Sequence, residues 1–175
     1  IEFGHKHFGE NKVQETINKW IDAKEQNEGI KLHLIGKLQS NKVKYCLPLF
    51  DYIHGLDSIK LAEKIANEQI KKNFKPKIFI QINIGDENQK NGINQNELSL
   101  FYQKVKTEFD LNIIGLMCIP PLSENTSSYF LKMKSLSEKI NLKELSMGMS
   151  NDYIEAAKNS ATYVRVGSKI MGERT

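Results

Sequence analysis

Hydrophobic positions in this chain fall into short apolar runs, separated by longer segments in which apolar residues recur at helical spacing. Lys77 to Ile84 (KIFIQINI) is the clearest run, rich in β-branched residues and of strand length. Similar runs over Lys6 to Gly9, Lys31 to Leu38, Tyr52 to Leu56, Asn112 to Ile119, Leu145 to Met149 and Thr162 to Val166 bring the expected strands to seven. Between them, Val13, Ile17, Trp20 and Ile21 share one helical face, as do Leu61, Ala62, Ile65, Ala66 and Ile70. Leu98, Phe101, Tyr102 and Val105 form a third such face, and Tyr129, Phe130, Met133, Leu136 and Ile140 a fourth. Asn11 with Gln14, and Asn94 with Glu97, have capping-box spacing, while Ser40 and Ser58 stand where helix caps belong. Gly85 to Ile93 is polar and bounded by glycine, which predicts an exposed loop, and Pro120-Pro121 ends the fifth strand.

Strict strand and helix alternation predicts a parallel sheet, because parallel neighbours need crossover connections that helices supply. Nothing after the first strand reads GxGxxG, which disfavours an open dinucleotide-binding sheet. The expected architecture is α/β, a TIM-type (β/α)8 barrel in one domain, residues 1–175, with seven strands here and the first expected upstream of Ile1. The chain starts with Ile rather than Met and is almost at once in a strand, which reads as loss of an N-terminal piece.

The last two strands carry the candidate chemistry. The run Leu145 to Met149 stops at Ser150, followed by a helical segment opening at Asn151-Asp152, so Ser150 is expected to be an N-cap beside a helix start that favours an anion. The run Thr162 to Val166 ends at Gly167-Ser168, where glycine allows close backbone approach and serine adds a hydroxyl. Two such ends in succession suggest the phosphate site that barrels build after their last two strands. Arg165 faces the same side of its strand as Gly167, which sets a guanidinium beside the ligand.

Composition narrows the partners. Charged residues make up 26% of the chain and the net charge is +4, with no block of like charges, so neither nucleic acid nor a membrane surface is indicated. No apolar stretch approaches the roughly 20 residues of a membrane span. Cys46 and Cys118 stand far apart in apolar contexts and read as buried free thiols, consistent with a cytoplasmic protein.

Longer segments carry a resemblance. FGEN at Phe8 to Asn11, HLIGKLQSNK at His33 to Lys42, GLM at Gly115 to Met117, LSMGMS at Leu145 to Ser150 and VRVGS at Val164 to Ser168 resemble, in order and from end to end, the pyridoxal phosphate homeostasis protein family. The resemblance implies a single barrel similar to the N-terminal domain of alanine racemase, holding pyridoxal 5'-phosphate (PLP). It implies that Ser150, Gly167 and Ser168 hold the phosphate, with serine at a position where the family usually has threonine. Arg165 would lie against the pyridine nitrogen, and Asn11, His33 and Met117 would line the pocket. Family members carry PLP as a Schiff base on a first-strand lysine in a segment resembling VSKT. No such segment occurs here, and neither Lys37 nor Lys42 replaces it, since both belong to the IGKLQSNK segment. PLP binding by this chain is therefore expected to be non-covalent.

An arginine at the ring nitrogen can only donate, which keeps that nitrogen unprotonated and weakens the cofactor as an electron sink. A racemase also needs an acid or base on the second face of its substrate, often from another domain, which favours carriage and homeostasis of PLP by a monomer. The alternatives are a racemase-type enzyme and a barrel for another phosphorylated metabolite. Among the remaining residues, His5 and His7 share a strand face but lack a third ligand nearby in sequence for a metal. His54 reads as a packed strand residue, and Met117 and Met149 by themselves read as core.

Overall fold

The computed structural model describes residues 1–87, 91–121 and 125–172. Residues 88–90 of the expected polar loop, 122–124 just after Pro120-Pro121, and 173–175 lie outside the described residues. The elements run β1 (His7–Glu10), α1 (Val13–Gln26), β2 (Lys31–Leu34), α2 (Val43–Cys46), β3 (Tyr52–Leu56), α3 (Ile59–Lys72), β4 (Lys77–Ile82), α4 (Leu98–Phe109), β5 (Ile113–Cys118), α5 (Ser127–Lys139), β6 (Glu144–Met149), α6 (Tyr153–Lys158), β7 (Tyr163–Arg165) and α7 (Ser168–Met171). The seven strands pair in parallel in the order β1-β2-β3-β4-β5-β6-β7, a nearly closed barrel whose two end strands are β1 and β7.

Each strand divides its side chains between two environments, because successive residues point to opposite faces. Leu32, Leu34, Ile53, Ile78, Ile80, Ile82, Leu116, Leu145 and Met147 face outward into one apolar layer with Leu61, Ile65, Phe101, Val105, Phe130 and Met133 of the helices. Burying a side chain such as Phe130 there contributes about 1.5–3 kcal/mol. The inward positions are different. Tyr52, Phe79 and Met117 form a second, smaller cluster with Ile114 and Tyr163, and His33, His54, Gln81 and Ser146 are buried with it. The barrel interior is thus aromatic and polar, with the fatty core kept outside.

Two expected capping arrangements are replaced. Lys12, not Asn11, stands at the N-cap of α1 without a side-chain cap; Thr16 Oγ1 instead donates to Lys12 O at 2.7 Å and Lys12 pairs with Glu15. Ser40 is the first residue of a 3-10 turn, Ser40–Lys42, rather than its cap. Ser58 does accept from Leu61 N–H at the start of α3, whereas Asn94 Oδ1 accepts from Asn96 N–H rather than from Glu97 N–H, capping the 3-10 turn that leads into α4. The second strand ends at Leu34, four residues short of the apolar run, and beyond it Gly36 lies against the Asn11 carbonyl, where a Cβ would come within 2.2 Å of that oxygen.

Candidate functional site

The C-terminal ends of β5, β6 and β7 meet at Arg165. Its Nη1 donates to Ser146 Oγ and its Nη2 to Cys118 O, each at 2.8 Å. One side chain therefore ties three neighbouring strands, with further N–H donors of the guanidinium left over. Burial lowers the Arg165 pKa somewhat from its ordinary value, opposed by Cys118 and Asp152, and a guanidine remains a cation under such a shift. Burial pushes the Cys118 thiol up to about 12 and the Cys46 thiol higher still, so both are inert neutral groups, as their apolar contexts suggested.

Ser150 does not cap a helix. Helix α6 begins at Tyr153 with Asp152 at the N-cap and no side-chain cap; Asp152 Oδ1 reaches back instead to accept from Met149 N–H at 2.7 Å. Ser150 Oγ accepts instead from Gly167 N–H at 3.1 Å, joining the β6 and β7 loops and leaving its own hydroxyl hydrogen to donate. Gly167 has φ −118°, within reach of any residue, and a Cβ there would meet nothing within 4 Å. Its glycine character answers no need of the chain's own packing; the open space lies on the side where a ligand could approach. Ser168 is exposed at the first position of α7. Asn11 is exposed just past the end of β1.

The remaining two expected residues lie deeper. Met117 is buried on β5 opposite Gln81 and Ser146, inside the barrel. His33 is buried on β2 with Tyr52 stacked on it at 4.0 Å between ring centroids. Ser150, Gly167, Ser168 and Asn11 thus stand at strand ends, Arg165 just below them, and Met117 and His33 in the interior. A groove of about 400 Å³ on the outer layer, lined among others by Asp86, Gln95, Lys132 and Lys139, contains none of these seven.

Several inward residues were not among those expected. Ser146 binds both Arg165 and His54, the latter through a 2.8 Å contact with Nδ1. His54, expected to be packing, touches His33 across 2.9 Å, and His33 in turn touches His7 Nδ1 at 2.9 Å. The available signal was a polar residue within each apolar strand run: His33, His54 and Ser146 each stand third in their strands. His5 and His7, which share a strand face in the sequence reading, are linked through the backbone: His5 Nε2 donates to the His7 carbonyl oxygen. Among the described residues, no group of three or more His, Cys, Asp or Glu side chains could hold a metal ion.

A parallel barrel with a basic group at its strand C-terminal ends is the class to which the alanine racemase N-terminal domain belongs, and the model for that family, "Alanine racemase, N-terminal domain", matches residues 1–175. Alanine racemase of Clostridium difficile shares the fold at a TM-score of 0.75 and 13% identity over 99% of this chain and 46% of its own. Much greater similarity is found to the pyridoxal phosphate homeostasis proteins of Aquifex aeolicus, 36% identical over 98% of this chain and 78% of its own length, and of Escherichia coli, 36% identical over 99% and 78%. PipY of Synechococcus elongatus, solved without PLP and with PLP bound, superimposes with TM-scores of 0.90 and 0.86 at 34% identity, covering 97% of this chain and 83% and 82% of its own. The chain belongs to the pyridoxal phosphate homeostasis protein family. Among the described residues, no helix is long and apolar enough to cross a membrane.

Proposed function

We propose that this chain binds pyridoxal 5'-phosphate at the C-terminal ends of its strands and serves intracellular, cytoplasmic homeostasis of that cofactor without catalysing a reaction of its own. The carrying observation is the anchorage of Arg165 to Ser146 and Cys118 directly beneath the Ser150–Gly167 pair. The donor set suits the group. Ser150 and Ser168 offer hydroxyls and Gly167 offers open approach, which together suit a phosphate dianion. When bound, the cofactor supplies an electron sink whose strength depends on protonation of its ring nitrogen. Arg165 has no acceptor and no proton to release, so a ring nitrogen beside it stays unprotonated and the sink stays weak. Asn11, His33 and Met117 are assigned to the pocket wall, the last two reached from inside the barrel. The chain acts as a monomer in this reading.

Equilibrium dialysis against PLP tests the proposal. Saturable binding that survives a large excess of inorganic phosphate or a sugar phosphate is expected. Binding that either competitor abolishes at concentrations comparable to PLP would instead identify a general phosphorylated-metabolite site.

A further inference from the structure

A line of hydrogen bonds crosses the barrel interior from the exposed rim to Arg165. His7 opens β1 at the N-terminal ends of the strands, on the side of the barrel opposite Ser150 and Gly167, and is exposed. Its Nδ1 lies 2.9 Å from His33 Nε2; His33 Nδ1 lies 2.9 Å from His54 Nε2; His54 Nδ1 lies 2.8 Å from Ser146 Oγ; and Ser146 Oγ accepts from Arg165 Nη1 at 2.8 Å. Five residues from five strands or strand ends thus join without a break. The two buried rings are held in place by aromatic neighbours, Tyr52 on His33 at 4.0 Å and 12° between planes, and Phe79 on His54 at 4.3 Å and 21°.

Such a line has two self-consistent polarities. In the first, Ser146 O–H donates to His54 Nδ1, His54 Nε2–H to His33 Nδ1, and His33 Nε2–H to His7 Nδ1. In the second, His7 Nδ1–H donates to His33 Nε2, His33 Nδ1–H to His54 Nε2, and His54 Nδ1–H to Ser146 Oγ, which then accepts twice and turns its own hydrogen elsewhere. When every ring is neutral, the first polarity satisfies the buried Ser146 hydrogen and is preferred. An imidazolium at His7 carries hydrogens on both nitrogens and fits only the second.

We propose that His7, His33 and His54 form a tautomer relay that couples protonation at the exposed barrel rim to the hydrogen bonding of the Ser146–Arg165 pair, making them positioning residues for the site above. Once His7 is an imidazolium, with hydrogens on both nitrogens, only the second polarity fits the line. The passage from the first polarity to the second adds one proton to the line, held at His7, and changes each buried ring from the Nε2–H to the Nδ1–H tautomer without changing its charge. The added positive charge stays on His7, Ser146 Oγ then accepts from both His54 and Arg165, and Arg165, which can only donate, marks where the relay stops. The groups that face His7 are His5 on its own segment, Lys31 of β2, Tyr52 of β3, Lys77 of β4 and Asp51 before β3. His5, Lys31 and Lys77 disfavour its proton and Asp51 favours it. The relay is independent of the ligand's identity; only its consequence for a cofactor rests on the PLP reading.

The test is a long-range 1H–15N spectrum of the imidazole rings in the ligand-free chain, followed from pH 8 to pH 5. The expected result is that His33 and His54 hold their hydrogens on Nε2 at pH 8 and switch together to Nδ1 with the midpoint of His7, the Arg165 Nε resonance shifting at the same midpoint. In His7→Phe, a change at an exposed position, both rings keep the Nε2 hydrogen throughout. Rings that keep one tautomer while His7 titrates, a stationary Arg165 signal, or the same switch in His7→Phe would each overturn the proposal. If PLP fails to bind while the switch is seen, the relay stands and only the ligand assignment falls.

Discussion

Arg165 on β7 and Ser146 on β6 are joined by a 2.8 Å hydrogen bond inside the barrel, and the serine that accepts it is completely buried. Without that oxygen a buried guanidinium loses an acceptor and His54 loses its partner. Ser146→Ala is therefore expected to destabilise the chain by about 1–3 kcal/mol, the penalty for stranding buried polar groups, and to weaken PLP binding as well. Urea denaturation measures the first effect; an unchanged midpoint would show that Arg165 is held by Cys118 alone.

Acid should loosen the fold well before its carboxylates are neutralised. Burial first, and then the neighbouring His7, lower the His33 pKa from 6.5 to about 4, and burial holds His54 well below its ordinary range too. These rings bind protons more readily in the unfolded chain, so stability rises with pH wherever the two states differ in protonation. The contribution is complete above about pH 6.5 and is lost as pH falls toward 4, on the order of 3 kcal/mol for His33. Urea midpoints that stay level from pH 7 to pH 5 would contradict this.

Two glycines should respond oppositely to alanine. At Gly115 a Cβ would come within 2.1 Å of the Glu144 carbonyl oxygen, a backbone atom of the paired strand, so Gly115→Ala should force β5 and β6 apart and cost several kcal/mol. At Gly167 a Cβ meets only open space, so Gly167→Ala should leave the melting temperature within about a degree while reducing PLP affinity. Equal losses of stability in both variants would mean that the β7 loop is packed rather than open.

Ser150→Ala removes the hydroxyl that bridges to Gly167 at an incompletely buried position. Little change in folding stability is expected, with a loss of PLP binding worth about 1.5–3 kcal/mol if the hydroxyl donates to a phosphate oxygen. Fluorescence or dialysis titration reads the difference directly, and wild-type affinity in the variant would move the phosphate elsewhere.

Strand order was open to reading because it follows from local rules. Tyr52–Leu56 was delimited to the residue, and the other strands to within a few residues, since each apolar run has strand length and each intervening segment a helical face. Errors arose where a polar side chain had a choice of partners. Ser150 reads as a cap beside Asn151-Asp152, yet α6 begins only at Tyr153, and the serine turns to a loop seventeen residues on. Asn11 has the spacing of a capping box, but α1 begins one residue too late for it to serve.

What the sequence determined by itself was the alternation of strands and helices, the parallel barrel that such alternation requires, and a tail where Ser150, Arg165, Gly167 and Ser168 gather. Period and spacing are properties of neighbours along the chain, and they carry that much. What tertiary structure alone decided is who faces whom inside the barrel. His7, His33, His54, Ser146 and Arg165 are separated by 26, 21, 92 and 19 positions, and no local pattern links them. They meet because a barrel's stagger carries inward residues of neighbouring strands to the same level, and closure sets the first strands opposite the last.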